Sequence, residues 1–199
     1  MGSKKALLIV DIQNDFCPGG ALGVRGGDKI IPVINKYIEL FHKAELPIFI
    51  TRDYHPEKTK HFKEFGGPWP EHCVQNTKGA EFHPDLKFPE EATIVSKGMN
   101  PDKDSYSAFQ AVDSDGHELL NLFRKMNVNE IFIGGLATDY CVRYSSLDAL
   151  KEGLKVWVLQ DAIKGVNIKP DDSDKALKEI AKKGAKKITF SGISKSVTF

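Results

Sequence analysis

The chain has 199 residues, enough for one sizeable α/β domain whose core needs no disulfide or metal staple. Its 28 Lys and Arg against 27 Asp and Glu leave a formal charge of +1. With no long block of like charge, this excludes an electrostatic footprint for nucleic acid or an anionic membrane surface. Three cysteines at wide spacing, Cys17, Cys73 and Cys141, do not form a disulfide framework. The first residues, Met1-Gly2-Ser3-Lys4-Lys5, lead directly into an apolar run too short to span a bilayer and without a cleavage site after it, so the expected location is cytoplasmic.

In chain order, strand-like runs recur at Ala6–Val10, Pro47–Thr51, Thr93–Ser96, Glu130–Ile133, Lys155–Leu159 and Lys187–Phe190. Several are continuous runs of Ile, Val and Leu, as expected of parallel strands buried on both faces. Between them lie helical patterns. Asp28–Ala44 carries Ile30, Ile31, Ile34, Tyr37, Ile38 and Phe41 at helical spacing, and Leu119–Met126 and Asp174–Lys183 do so more briefly. The fold class expected is α/β: a three-layer doubly wound fold with a six-stranded, mainly parallel sheet. One domain is expected, with a core of about 5–190 and a polar tail at 191–199. From Tyr54 to Ala92 the rhythm breaks into a Pro-, Gly-, His- and aromatic-rich stretch. Loops of that length in compact domains are usually functional, and Phe62, Phe65, Trp69 and Phe82 argue for an ordered one.

Ligands of open parallel sheets bind beyond the carboxyl ends of the strands. Asp11 directly follows Leu7–Val10, Asp53 closely follows Ile48–Thr51, and Lys97 directly follows Thr93–Ser96. Cys141 lies just past Ile131–Ile133, where Gly134-Gly135 break the run and a helical face of Val142, Ser146, Ala149 and Leu150 begins, with Gly153 where it would stop. Thr138 is the expected N-cap, which places Cys141 in the first helical turn, where free N–H groups favour an anion. The expectation is a thiol that ionises more readily than an ordinary cysteine. Alone, each residue has an ordinary reading: Asp11 in a turn, Asp53 as a cap, Lys97 solvated, Cys141 a small buried hydrophobe. Their joint placement favours a shared site. Asp11 is suited to take the thiol proton and to return it to a leaving group, and Lys97 to stabilise the negative charge of both. Asp53 and His55 point the same way on an extended segment, and His72 returns from the long loop. One carboxylate and two imidazoles suit zinc, with iron or manganese as alternatives.

These residues resemble a known family. Asp11-Ile12-Gln13-Asn14-Asp15-Phe16, Lys97 and Gly135-Leu136-Ala137-Thr138-Asp139-Tyr140-Cys141-Val142 are similar to the cysteine hydrolases of the isochorismatase-like superfamily. Asp53-Tyr54-His55, Gly66-Gly67-Pro68-Trp69-Pro70-Glu71-His72-Cys73 and Gly79-Ala80-Glu81-Phe82 narrow the resemblance to its metal-bearing nicotinamidases. The resemblance implies Cys141 as nucleophile, Asp11 as base, Lys97 completing the triad, and a divalent metal on Asp53, His55 and His72. It also implies a cis peptide at Leu136–Ala137, with the N–H groups of Ala137 and Cys141 turned toward an oxyanion. Phe16, Trp69 and Tyr106 would hold a pyridine ring, and the substrate implied is the small molecule nicotinamide, with a homo-oligomer left open. His61 stands where some members place a further ligand, whereas Cys73 is expected to pack in the loop. Two other readings are a relative acting on a different small amide or a vinyl ether, and a non-catalytic binding module on the same fold.

Overall fold

The computed structural model describes residues 4–196, with side chains through 193. Its strands are β1 (Lys4–Val10), β2 (Ile48–Asp53), β3 (Thr93–Lys97), β4 (Val128–Leu136), β5 (Lys155–Lys164) and β6 (Lys186–Ile188). All pairs are parallel, in the order β3-β2-β1-β4-β5-β6. Helices α1 (Ile31–Lys43), α2 (Leu119–Lys125), α3 (Cys141–Lys151), α4 (Asp172–Lys182) and α5 (Phe190–Ser196) cover the faces. Among the described residues no helix is long and apolar enough to cross a membrane.

The period-two geometry of β1 divides the core. Ala6, Leu8 and Val10 join Phe49, Phe123, Val142, Ala149 and Ile180 beneath α2, α3 and α4. Leu7 and Ile9 join Ile34, Tyr37, Ile38, Phe41, Phe132 and Ile193 beneath α1 and α5. α1 forms where expected because Ile31, Ile34, Tyr37, Ile38 and Phe41 present one buried stripe, and Pro32 stands in its first turn, where a missing N–H costs nothing. Phe41 packs edge-on against Phe132 with ring centroids 5.3 Å apart. Truncating a buried Phe of this kind to Ala costs about 3–5 kcal/mol.

Strand order runs outward from β1 through β2 to β3 on one side and through β4 to β6 on the other. The reversal lies between β1 and β4, so a crevice opens beyond their carboxyl ends. There Gly135 adopts φ +120°, and a Cβ on it would collide with the Val10 carbonyl of the neighbouring strand. Gly135→Ala would therefore push β1 and β4 apart at the crevice.

Several local expectations differ: β4 continues through Gly134-Gly135 to Leu136 instead of breaking there, and β5 runs past the expected Leu159 to Lys164. The 190–196 segment is a helix rather than a tail, because Ile193 buries against α1; residues 197–199 lie outside the described chain. Strand β6 ends at Ile188, earlier than the expected Phe190, which opens that helix. At α3 the N-cap is Tyr140, with no side-chain cap, so Thr138 does not cap the helix. Instead Thr138 N–H donates to Lys164 O at 3.0 Å, fastening the turn to β5.

Candidate active site

Asp11, Lys97 and Cys141 meet where β1, β3 and α3 converge. Asp11 leaves β1 with φ +51°, which turns its side chain into the crevice. Its Oδ1 accepts from the Thr51 hydroxyl at 2.5 Å, and its Oδ2 faces Lys97 Nζ at 2.8 Å. The same ammonium pairs with Asp53 and reaches Cys141 Sγ at 3.5 Å. Gln13 holds the Asp53 backbone from both sides: its Oε1 accepts from Asp53 N–H and its Nε2 donates to Asp53 O, each at 2.8 Å. Asp11 is fully buried and Lys97 is 1% exposed, so this is a charged cluster inside the protein. One cation between two carboxylates is what makes it tenable, since buried charges persist only when paired.

The electrostatics follow. Burial opposes the Lys97 charge, but Asp11, Asp53 and Cys141 outweigh it and hold the ammonium's pKa well above the usual lysine value. Burial also pushes Asp53 up, yet the Lys97 ammonium more than offsets it and keeps this carboxyl below the ordinary range. For Asp11 burial wins, aided by Asp53 and opposed by Lys97 and the Thr51 hydrogen bond, so its pKa is raised. The Cys141 thiol is pushed well above its usual value by burial and by the Asp11 and Asp53 charges, with Lys97 opposing. This corrects the expectation of an easily ionised thiol. A helix N-terminus contributes about 0.3–1 kcal/mol, too little to offset desolvation beside two carboxylates. Asp11 stands close to the thiol: ligand atoms of Asp11, Asp53 and Cys141 lie within 4.8 Å of one another.

A few ångströms away three imidazoles converge. His55, His61 and His72 offer ligand nitrogens within 4.8 Å of one another, all buried. Each has its Nδ1 against a group that can only accept: Gly98 O at 3.0 Å, Asp104 Oδ1 at 2.5 Å and Pro70 O at 2.8 Å respectively. Nδ1 must then carry the proton, which leaves every Nε2 lone pair free, the arrangement of metal-bound histidines. His55 Nε2 is buried with no hydrogen-bond partner, and the free Asp53 Oδ2 lies 3.7 Å from it. Burial is the main force pushing His72 down to about 4 and His61 also below its usual value, so both are neutral at pH 7, as ligands must be. Phe62, 1% exposed, packs against all three rings and fixes them. The donor set fits a divalent ion. The neighbouring Asp11, Asp53 and Cys141 group does not, because the Lys97 ammonium already fills it.

Residues of both clusters line one small cleft. Phe16, Trp69 and Tyr106 are among its lining residues, and Trp69 Nε1 donates to the Tyr106 hydroxyl at 2.8 Å. Cys141, Asp11, Asp53 and Ala137, the last after a cis Leu136–Ala137 peptide, line it together with His61 and His72. An isochorismatase domain matches residues 5–191. The chain belongs to the isochorismatase family. It is 40% identical to the nicotinamidase of Escherichia coli (strain K12), covering 91% of this chain and 92% of that protein. The structure superposes with a TM-score of 0.87 on the pyrazinamidase of Pyrococcus horikoshii in complex with zinc, at 49% identity over 94% and 99% of the two chains. With PnC1 from L. infantum, in complex with nicotinate, the TM-score is 0.84 at 33% identity, over 96% and 94%. Like its curated relatives at about 40% identity, this isochorismatase-family chain is an amide hydrolase.

Sequence reading left several residues of this isochorismatase site unassigned. His61 was left open and joins the trio, while Cys73 packs in the loop as expected, buried with its N–H on Asp15 Oδ2 at 2.7 Å. Thr51 and Asp104 carry no chemical signature beyond polarity, and Gln13 stands inside the first quoted motif with no role assigned to it. Leu22, Val24, Tyr140 and Val166 complete the cleft wall. Tyr140 alone was within reach of sequence reasoning, as the neighbour of Cys141; its ring meets Trp69 edge-on at 5.2 Å.

Proposed function

We propose that this chain hydrolyses nicotinamide to nicotinate and ammonia through a thioester on Cys141. The observation that carries the reading is the cleft itself, an aromatic slot lined both by Cys141 and Asp11 of the buried Cys–Asp–Lys cluster and by His61 and His72 of the tautomer-locked histidine trio. It matches a flat ring bearing a carboxamide on one side and a lone-pair nitrogen on the other.

Asp11 takes the thiol proton on Oδ2, the oxygen that Thr51 leaves free. The Cys141 sulfur bonds to the carboxamide carbon, and the C=O electron pair moves onto oxygen. Lys97 stays protonated and stabilises the charge while it resides on sulfur. The N–H groups of Ala137 and Cys141 receive the oxyanion; donors of this kind contribute about 2.7–4 kcal/mol of transition-state stabilisation. Asp11 returns its proton to the nitrogen, the C–N bond breaks, and ammonia departs. Asp11 next takes a proton from water, hydroxide adds to the thioester, and the C–S bond breaks to release nicotinate and regenerate the thiol. Phe16 and Trp69 hold the ring, so positioning is supplied by the cleft rather than by chance encounter.

His55, His61 and His72 would hold a divalent ion, with Asp53 Oδ2, 3.7 Å from His55 Nε2, as a further donor, and zinc is first among candidates given the donor set and the zinc complex of the Pyrococcus relative. When bound, the ion supplies a Lewis-acidic anchor for the pyridine nitrogen. The test is direct: purified protein with nicotinamide, ammonia followed enzymatically and nicotinate by chromatography. Stoichiometric appearance of both supports the reading. Turnover of other small amides with none of nicotinamide would overturn it.

A further inference from the structure

Just beyond the end of β5, Val166 forms part of the cleft wall. The N–H groups of Val166 and Asn167 both aim at one carboxylate. Val166 N–H donates to Asp139 Oδ1 at 2.9 Å and Asn167 N–H to Asp139 Oδ2 at 2.7 Å. Successive N–H groups converging on an anion form a nest, and the left-handed φ of +52° at Asn167 belongs to that geometry. Here the chain supplies the anion itself. Asn167 Oδ1 in turn accepts from Ser173 N–H at 2.9 Å in the first turn of α4. Gly165 lies so close that a Cβ on it would collide with Ser173 Oγ and come within 3.0 Å of Asp139 Oδ1. With the Thr138–Lys164 hydrogen bond, the turn preceding Cys141 and the wall of the cleft are one fastened unit.

Asp139 does not line the cleft and takes no part in the steps above. We infer that Asp139 is a specificity-determining positioning residue: by filling the Val166–Asn167 nest it fixes the Val166 wall and so sets the size of ring the cleft accepts. The identity of the substrate rests on the proposed amide hydrolysis; the fastening of the wall rests on geometry alone.

Asp139→Asn keeps the shape but sets an NH2 group against one of the two N–H donors. Its kcat and KM are measured for nicotinamide and for 5- and 6-methylnicotinamide. The KM for nicotinamide should rise about fivefold with kcat within about threefold, and the kcat/KM ratio of methylated to parent amide should rise about tenfold, the scale of a methyl-sized discrimination. Val166→Ala should move the ratio in the same direction. The double variant should move it no further than the larger single change, because both act on one wall. Amide hydrogen exchange at 166 and 167 should accelerate in Asp139→Asn while that of β4 stays unchanged. An unmoved ratio, an equal fall in kcat for every amide, additive effects in the double variant, or unchanged exchange would each overturn the inference. Should Asp139→Asn not fold, Asp139→Glu displaces the nest by one methylene and must shift the ratio or sink the idea. If wild type left nicotinamide intact, the functional reading would fail by itself, and the exchange rates would still decide the role of Asp139.

Discussion

Thr51→Val isolates one hydrogen bond beneath the base. The Thr51 hydroxyl donates to Asp11 Oδ1 at 2.5 Å and accepts from Asp11 N–H at 3.2 Å. That N–H also reaches Thr51 O at 3.3 Å, so it keeps a partner in the variant. The loss falls on Oδ1, a charged acceptor with no exposure to water. A hydrogen bond to such a group is worth about 1.5–3 kcal/mol. At about 2–4 °C per kcal/mol for a domain of this size, Tm should fall by about 3–12 °C. The hydroxyl favours the ionised carboxylate, so removing it raises the already raised Asp11 pKa further. A base works only when deprotonated, so kcat/KM should suffer most at acidic pH and recover as pH rises. Stability runs the opposite way with pH. A carboxyl whose folded pKa lies above its unfolded value destabilises as pH rises through that interval, so the Tm gap to wild type should narrow toward acid. Thr51→Ser, which keeps the hydroxyl, should restore both. The assays are thermal unfolding and kcat/KM from pH 5 to 9. A variant with wild-type Tm, or with a pH profile merely scaled down, would refute the reasoning.

Other consequences are checked more briefly. Cys141→Ala should abolish turnover while metal content and Tm stay near wild type; activity within about tenfold of wild type would remove the thiol from the chemistry. Asp11→Asn cannot accept a proton and should cost at least about 100-fold in kcat, read in the same ammonia assay. His61→Ala should weaken zinc binding in competition with a chromophoric chelator, and Asp104→Asn should do so by about 10–100-fold, since it only loosens the group behind the ring. Benzamide, which lacks the ring nitrogen, should be a poor substrate, and His55→Ala should harm nicotinamide turnover far more than benzamide turnover. Equal loss for both amides would remove the anchoring role from the histidine cluster.

The architecture was legible because buried parallel strands leave continuous apolar runs, and α1 because its stripe has helical spacing. Strand-end placement alone brought Asp11, Asp53, Lys97 and Cys141 to one rim. What escaped was set by tertiary context. The second partner of Lys97, Asp53, depends on the β2–β3 register that pairs these two residues. The acidity of Cys141 depends on burial, which the helix-start argument ignores. His61 could only be left open as a further ligand, because its anchor Asp104 is 43 positions away. The α5 helix was hidden in a polar segment whose lone buried apolar side chain is Ile193. Val166 and Asp139 come from separate elements, and nothing in their local sequence announces that they meet.

The central claim, that Cys141 forms an acyl-enzyme inside a Cys–Asp–Lys cluster, is tested most directly by rapid acid quench during nicotinamide turnover. Mass spectrometry of the proteolytic peptides should then find a nicotinoyl group on the peptide bearing Cys141, labile to hydroxylamine as a thioester must be. It should be absent from Cys17 and Cys73. Undiminished nicotinate production by Cys141→Ser, with no adduct on any cysteine of the wild type, would contradict the account.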